Sequence, residues 1–321
     1  MKIGIVGEIH PDGYKIFEEK NIEFFVTHNT DESNLKNELI DVDGIVIRTA
    51  ELNTNILSST TKLKIVARHG VGYDNVDTAY LDRNKIALAI TGKANATSVS
   101  EHVMTMMLCL TKNIFESDKL VKLGKFKEKR NLPNFFELYN KNILILGFGR
   151  IGRTLSKRCL GFEMKVYVHD PFVSDQEIKD LNCIPINKEE GFKIADYISI
   201  HLPLNSETKN LITFDQFKIF KSNLILINTA RGGIINEDAL SDALKNKKIF
   251  GAGIDVFEKE PPIQNHKLFS LSNTLLTPHN AALTLECRKR MSVESCENVF
   301  DFLTKSKNLN KNNIINLNII S

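Results

Sequence analysis

The sequence predicts an α/β protein made of two doubly wound parallel-sheet domains, one inserted into the other. Three observations predict it. Short apolar runs alternate with helix-like stretches along the N-terminal third, the pattern of parallel strands joined by right-handed crossovers. A second such series follows, opened by the glycine turn Gly147-Phe-Gly149-Arg-Ile-Gly152. The length, 321 residues, suits about two domains at roughly 150 residues each.

In chain order, the first series places strands at Lys2–Val6, Ile22–Val26, Gly44–Ile47, Ile65–Arg68 and Ala87–Ile90. Helical patterns fill the gaps at Tyr14–Lys20, Asp31–Leu39, Thr54–Ser58 and Asp77–Asn84. This unit has no glycine fingerprint of its own, because Gly7-Glu8 lacks the glycines that should follow. A long helix is expected from Ser98 through Val103–Leu110 and on towards Val121. It is apolar nearly all round, so burial between domains or subunits is expected. A loop-rich stretch, Gly124 to Tyr139, leads to the fingerprint strand.

The second series has strands at Ile184–Ile186, Tyr197–Ile200, Leu224–Asn228, Phe250–Ile254 and Thr274–Leu276. Helices are expected at Asp175–Leu181, Phe214–Phe220 and Glu237–Lys245, the last with Asn236 as N-cap. A final helix, about Thr284–Leu303, is expected to return to the first domain, with the tail to Ser321 completing it. The expected division is residues 1–97 with 285–321, and residues 98–284 inserted between them. A substrate would then lie in the crevice at the strand C-termini.

The stretch Asn142–Asp170 carries the first chemical signal. Ile143–Leu146 suits a strand buried on both faces. Gly147 permits a tight turn, Gly149 lets a pyrophosphate approach the backbone, and Gly152 lets the next helix pack closely. That helix offers unpaired N–H groups and a partial positive charge to phosphates. Asp170 ends the second strand, where a carboxylate accepts from the adenosine ribose hydroxyls and repels a 2′-phosphate, so NAD is favoured over NADP.

Three further stretches follow strands of the same series: Asn228-Thr-Ala-Arg-Gly-Gly233, Gly253 through Pro262, and Leu276-Thr-Pro-His-Asn-Ala-Ala282. Arg231 supplies a fixed fork for a carboxylate. His279 exchanges a proton near neutral pH. Glu260 is a candidate partner that would favour the protonated imidazole.

Composition removes several classes. Net charge is +3, from 42 basic and 39 acidic residues, which gives no reason to expect nucleic acid or an anionic membrane. Five scattered cysteines, none in a C-x-x-C pair, fit reduced thiols rather than a disulfide frame or a metal site, and a cytoplasmic setting. No secretory or membrane-spanning apolar run is expected.

These motifs resemble the D-isomer-specific 2-hydroxyacid dehydrogenases, and within them the phosphoglycerate dehydrogenase and hydroxypyruvate/glyoxylate reductase group. The resemblance covers nearly the whole chain. It includes Gly70-Val-Gly-Tyr-Asp-Asn-Val-Asp77, Asn95-Ala-Thr-Ser-Val-Ser-Glu-His102, the fingerprint, His201-Leu-Pro-Leu204, Thr229-Ala-Arg-Gly-Gly-Ile-Ile-Asn236, Asp255-Val-Phe with Glu260-Pro261, and Thr277-Pro-His279. It implies a Rossmann NAD-binding domain inserted into a flavodoxin-like substrate domain, with Arg231, Glu260 and His279 as the catalytic set. It further implies that the backbone at Gly70, Val71 and Gly72 holds the substrate carboxylate. Leu202, Pro203 and Thr208 would line the pyrophosphate and ribose, and Arg150 and Ile151 would meet the pyrophosphate through the helix N-terminus. Thr229, Ala230, Asp255 and Ala281 would set the nicotinamide end. No metal is implied.

The implied activity is hydride transfer between NAD(H) and a D-2-hydroxy or 2-oxo acid. D-3-phosphoglycerate is the leading substrate, with hydroxypyruvate or glyoxylate as the alternative. Arg48 and His69 are expected to line the substrate: Arg48 matches a position that meets the far end of phosphoglycerate, whereas His69 and Tyr73 are bulkier than usual beside the carboxylate loop. Asn280 replaces a more usual aliphatic residue, and Phe126 a frequent Trp. No C-terminal regulatory domain is expected. The helix around Val103–Leu110 and the arm after it resemble the family's dimer interface. A rival of another class is an NAD(H)-sensing protein like the C-terminal-binding-protein corepressors, which keep the same triad. Formate dehydrogenase is disfavoured by Glu260.

Overall fold

The computed structural model describes residues 1–320, so the expected C-terminal boundary at Ser321 lies outside the described residues. The chain forms two compact units, Met1–Asn95 together with the segment from Leu283 onward, and Ala96–Ala282.

The first unit alternates β1 (Lys2–Val6), α1 (Pro11–Glu18), β2 (Glu23–Thr27), α2 (Glu32–Glu38), β3 (Gly44–Ile47), α3 (Thr54–Leu57), β4 (Ile65–Arg68), α4 (Thr78–Arg83) and β5 (Ala87–Ile90). The five strands form a parallel sheet in the order β2-β1-β3-β4-β5. Alternate residues feed opposite layers: Ile45 and Ile47 join one buried cluster, Val46 the other. Helix α1 starts earlier than the apolar pattern indicates. Pro11 sits in its first turn, and the His10 side chain accepts from the Asp12 N–H, so capping sets the boundary.

The second unit opens with α5 (Ala96–Lys112) and α6 (Ile114–Lys122), then β6 (Asn142–Leu146), α7 (Arg150–Gly161), β7 (Lys165–His169), α8 (Asp175–Lys179), β8 (Ile184–Pro185), α9 (Lys188–Ile194), β9 (Tyr197–Ile200), α10 (Gln216–Ile219), β10 (Ile225–Asn228), α11 (Glu237–Lys245), β11 (Gly251–Ile254) and β12 (Thr274–Leu276). Seven parallel strands run in the order β12-β11-β10-β9-β6-β7-β8. Ile143 and Ile145 point into one layer, Leu144 and Leu146 into the other. The expected single helix from Ser98 to Val121 is two. Asn113 adopts a left-handed conformation (φ 47°) and separates α5 from α6. Val103, Met104, Met106 and Met107 belong to this unit's own core, whereas α6 buries no residue. The helix α9, unmarked by any apolar run, starts on an Asn187 cap that accepts from the Glu189 N–H.

Helix α12 (Leu285–Leu303), capped by Thr284, packs on α1 and on β3, β4 and β5 of the first unit; a short α13 (Leu317–Ile320) follows. All five cysteines are free thiols. Among the described residues no helix is long and apolar enough to cross a membrane, and no group of His, Cys, Asp or Glu is arranged to hold a metal ion.

Candidate active site

In the second unit β6 pairs with β7 on one side and β9 on the other, so strand order reverses there. Such a switch point opens a crevice beyond the strand C-termini. Because all seven strands are parallel, the loops after β6, β9, β10, β11 and β12 leave from the same edge.

The loop after β6 is shaped by two glycines. Gly147 has φ +92°, and a Cβ there would lie 2.6 Å from the His201 carbonyl oxygen. A Cβ on Gly152 would collide with the Gly147 carbonyl. Gly149 has nothing within 4 Å of where its Cβ would stand. This leaves room for a phosphate at the N-terminus of α7, beside Arg150 and Ile151. At the end of β7, Asp170 is fixed by two backbone donors, Phe148 N–H at 2.7 Å and Phe172 N–H at 2.9 Å. Its carboxylate is thereby tied to the fingerprint turn. After β9, the Thr208 hydroxyl donates to the Pro203 carbonyl at 2.6 Å and accepts from Asn205 N–H, closing the turn that begins at Leu202.

After β10, the Asn228 side chain accepts from Ala230 N–H and donates to the Arg231 carbonyl. Arg231 Nη1 donates to the Ala230 carbonyl at 2.6 Å. Thr229 is buried, and its hydroxyl has no hydrogen-bond partner. An orphaned hydroxyl at this edge suits a polar ligand group. These features together fit a dinucleotide.

The imidazole of His279 meets Glu260 at Nδ1···Oε2 2.7 Å, and the other Glu260 oxygen accepts from Phe257 N–H at 3.0 Å. Their side chains are 49% and 37% exposed. The hydrogen bond to Glu260 raises the His279 pKa above its ordinary value, against burial and the Arg231 charge, with Glu260 and Asp255 charges adding to the rise. Burial opposes ionisation of Glu260, but the hydrogen bonds from His279 and Phe257 outweigh it and hold the carboxyl below its ordinary range. The Arg231 charge is felt by both partners, so the three expected catalytic side chains are electrostatic neighbours.

Asp255 is fully buried, with Thr277 Oγ1 at 2.5 Å, Asn280 N–H at 2.9 Å and Ala281 N–H at 3.1 Å, while its carbonyl accepts from His279 N–H. Its oxygens tie down the loop that carries His279. His279 itself sits at φ 51°, a conformation that these bonds enforce. His102 on α5, the last residue of the Asn95–His102 motif, reaches the same cluster, its Nε2 3.1 Å from Thr277 Oγ1.

His69 directly precedes the expected carboxylate loop. Its ring is buried, with Nε2 3.0 Å from Ser292 Oγ on α12, and Ser292 Oγ accepts from His10 N–H at 2.8 Å. It braces the first unit's interior through Ser292. Burial lowers its pKa to about 4, with the Arg68 and Arg48 charges contributing. Gly70, with φ +150°, stands beside the Arg68 guanidinium, and Val71 and Gly72 are half-buried. Arg48 is half-buried near the Glu8 carbonyl.

Residues 104–281 match the model of the D-isomer specific 2-hydroxyacid dehydrogenase NAD binding domain. A hydroxypyruvate reductase from Thermotoga maritima is 37% identical over 81% of this chain and 84% of its own. A D-3-phosphoglycerate dehydrogenase from Archaeoglobus fulgidus is 32% identical over 99% of this chain, which spans 59% of that longer relative. A D-lactate dehydrogenase from Aquifex aeolicus, solved with NAD and lactic acid, superposes with a TM-score of 0.86 at 26% identity, covering 98% of each chain. With a family model matched across more than half its length, this chain belongs to the D-isomer-specific 2-hydroxyacid dehydrogenases.

Proposed function

We propose that the protein is an NAD-dependent oxidoreductase that interconverts a D-2-hydroxy acid and its 2-oxo acid. The observation that carries this reading is the His279–Glu260 pair, 2.7 Å apart at the strand edge that also bears Arg231 and the fingerprint turn. Gly147, Gly149, Gly152, Arg150, Ile151 and Asp170 would hold NAD, with Leu202, Pro203, Thr208, Thr229, Ala230, Asp255 and Ala281 lining it. NAD, when bound, supplies the hydride acceptor or donor.

The chain's own groups do the rest. With Nδ1–H donating to Glu260, the Nε2 of His279 is left to exchange a proton with substrate. In reduction, protonated His279 gives that proton to the oxygen forming on C2, and Arg231 polarises the carbonyl. In oxidation, neutral His279 removes the hydroxyl proton. Asp255 holds the loop that presents the imidazole. The proposed carboxylate holder is the backbone of Gly70, Val71 and Gly72, with Arg48 meeting a second anionic group on the substrate.

Within this class, D-3-phosphoglycerate is the proposed substrate, on the strength of Arg48 and the match along 99% of this chain. Hydroxypyruvate is the second reading, favoured by the relative of similar length. Homodimer formation is also proposed. Phe115, Val121, Leu123 and Phe126 on α6 and the turn after it are each more than half exposed, an apolar surface suited to a second copy. Five free thiols support a reducing, cytoplasmic setting.

The test is steady-state NADH oxidation with 3-phosphohydroxypyruvate, hydroxypyruvate, glyoxylate and pyruvate. Turnover of at least one, with NADH preferred to NADPH, is expected. Tight NADH binding with no turnover of any would overturn the enzymatic reading in favour of an NAD(H) sensor.

A further inference from the structure

The segment carrying Glu260 is gripped from behind by residues with no expected contact to substrate or cofactor. Glu237, the first residue of α11, and Glu258 exchange two bonds: Glu237 N–H donates to Glu258 Oε1 at 3.1 Å, and Glu258 N–H donates to Glu237 Oε1 at 2.9 Å. The other Glu237 oxygen lies 2.8 Å from His266 Nε2. This pair is largely withdrawn from water, with side chains 7% and 12% exposed. The His266 ring packs edge-on against Phe257, 5.4 Å between centroids, and tilts against Phe269. From another side Gly232 lies flat on the Phe257–Glu258 peptide, where a Cβ would collide with the Phe257 carbonyl. The gripped segment then delivers both of its functional contacts, Phe257 N–H to Glu260 and Glu260 to His279.

Helix α11 does not need this arrangement to start. Asn236 already caps it by accepting from Ala239 N–H at 2.9 Å, and Asp238, paired with Lys267, already places an exposed acid in its first turn. Burying an acid and an imidazole costs desolvation that an exposed acid avoids. What the buried pair adds is a fixed position for residues 257–260.

We propose that Glu237 and His266 are positioning residues that clamp the 257–260 segment and keep Glu260 within hydrogen-bond reach of His279. The proposal rests on the reading of His279 as the proton-transfer group. The charged groups around His279 are Glu260, Asp255 and Arg231. Those around the clamp are Glu258 and the exposed Asp238–Lys267 pair.

The test follows the His279 imidazole by NMR across a pH titration of the full chain, alongside kcat and KM. In Glu237→Ala the His279 midpoint falls by about half a unit to one unit, as a slackened carboxylate partner requires. Its kcat falls about 10- to 100-fold, the scale of a small misplacement at a reacting group, while the KM for NADH is unchanged. Glu237→Gln, which keeps the shape and one acceptor, recovers most of both. Asp238→Asn changes neither. Should Glu237→Ala fail to fold, His266→Leu keeps an apolar body against Phe257 and Phe269 and gives the same two readouts. An unmoved midpoint and unmoved kcat in a folded variant, with only the melting temperature lowered, would overturn the clamp. Absence of turnover in the parent would count against the enzymatic reading alone, because the midpoint still decides the clamp.

Discussion

Two histidines follow strand C-termini in the two units and meet opposite environments. His69 follows β4, is 6% exposed, and has a serine hydroxyl as its partner. His279 follows β12, is half exposed, and has a carboxylate. Burial without a counter-charge drives the first to a pKa of about 4, whereas the Glu260 hydrogen bond lifts the second. A neutral, buried imidazole is a brace. A paired one at an open edge is a proton carrier. The partner and the exposure decide between these roles, and the residue type alone does not.

The largest expected effect breaks the comparison at its reactive end. His279→Ala lowers turnover about 10²- to 10⁴-fold, the usual worth of a positioned acid–base group, and leaves NADH binding intact by fluorescence titration. Loss of NADH binding as well would mean that His279 holds the cofactor.

At the buried end the effect is on stability. The His69 pKa is about 4 in the folded chain against an ordinary 6.5. As pH falls through that window the unfolded chain takes up a proton that the folded chain refuses. Stability is therefore intact above 6.5, is lost on acidification towards 4, and levels off below. The loss should total about 3 kcal/mol. His69→Gln should show a flatter urea stability profile between those limits, whatever its stability at neutral pH. An unchanged slope would show that His69 protonates without penalty.

Gly232→Ala tests whether the Arg231 loop must touch the Glu260 loop. An added methyl collides with the Phe257 carbonyl, so the loops part and kcat falls up to about 100-fold. Parent-like turnover would show that the contact is dispensable. The smallest effect concerns Asp170, whose carboxylate is fixed by two backbone donors. Asp170→Asn removes the charge that repels a 2′-phosphate, and the NADH-over-NADPH preference in KM should narrow about tenfold, or ~1.4 kcal/mol. An unaltered preference would place the discrimination elsewhere.

Much of the fold is legible in the sequence because its signals are local. The apolar runs of β3, β4, β5 and β9 coincide with the strands, and the Asn236 cap and Glu237–Lys245 helix stand where local chemistry puts them. The order of residues along the candidate edge is likewise legible, since each follows its own strand. What escapes depends on contacts between distant residues. The break at Asn113 is a backbone choice that an apolar run conceals. Whether His69 faces inward is settled by Ser292, far along the chain. That Thr277, Asn280 and Ala281 all gather on Asp255 is equally hidden, because the last two donate through backbone N–H groups. The Glu237–His266 pair joins a helix start to an unmarked loop.

The most direct test is the pH dependence of kcat for 2-oxo acid reduction in the parent and in Glu260→Gln. Protonated His279 is the required form, so activity in the parent should persist above the ordinary imidazole pKa of 6.5 and decline only at higher pH. In Glu260→Gln that decline should move to lower pH and the maximum should fall. A basic limb that stays in place when the carboxylate is removed would contradict the account, because the pair would then not be the group that delivers the proton.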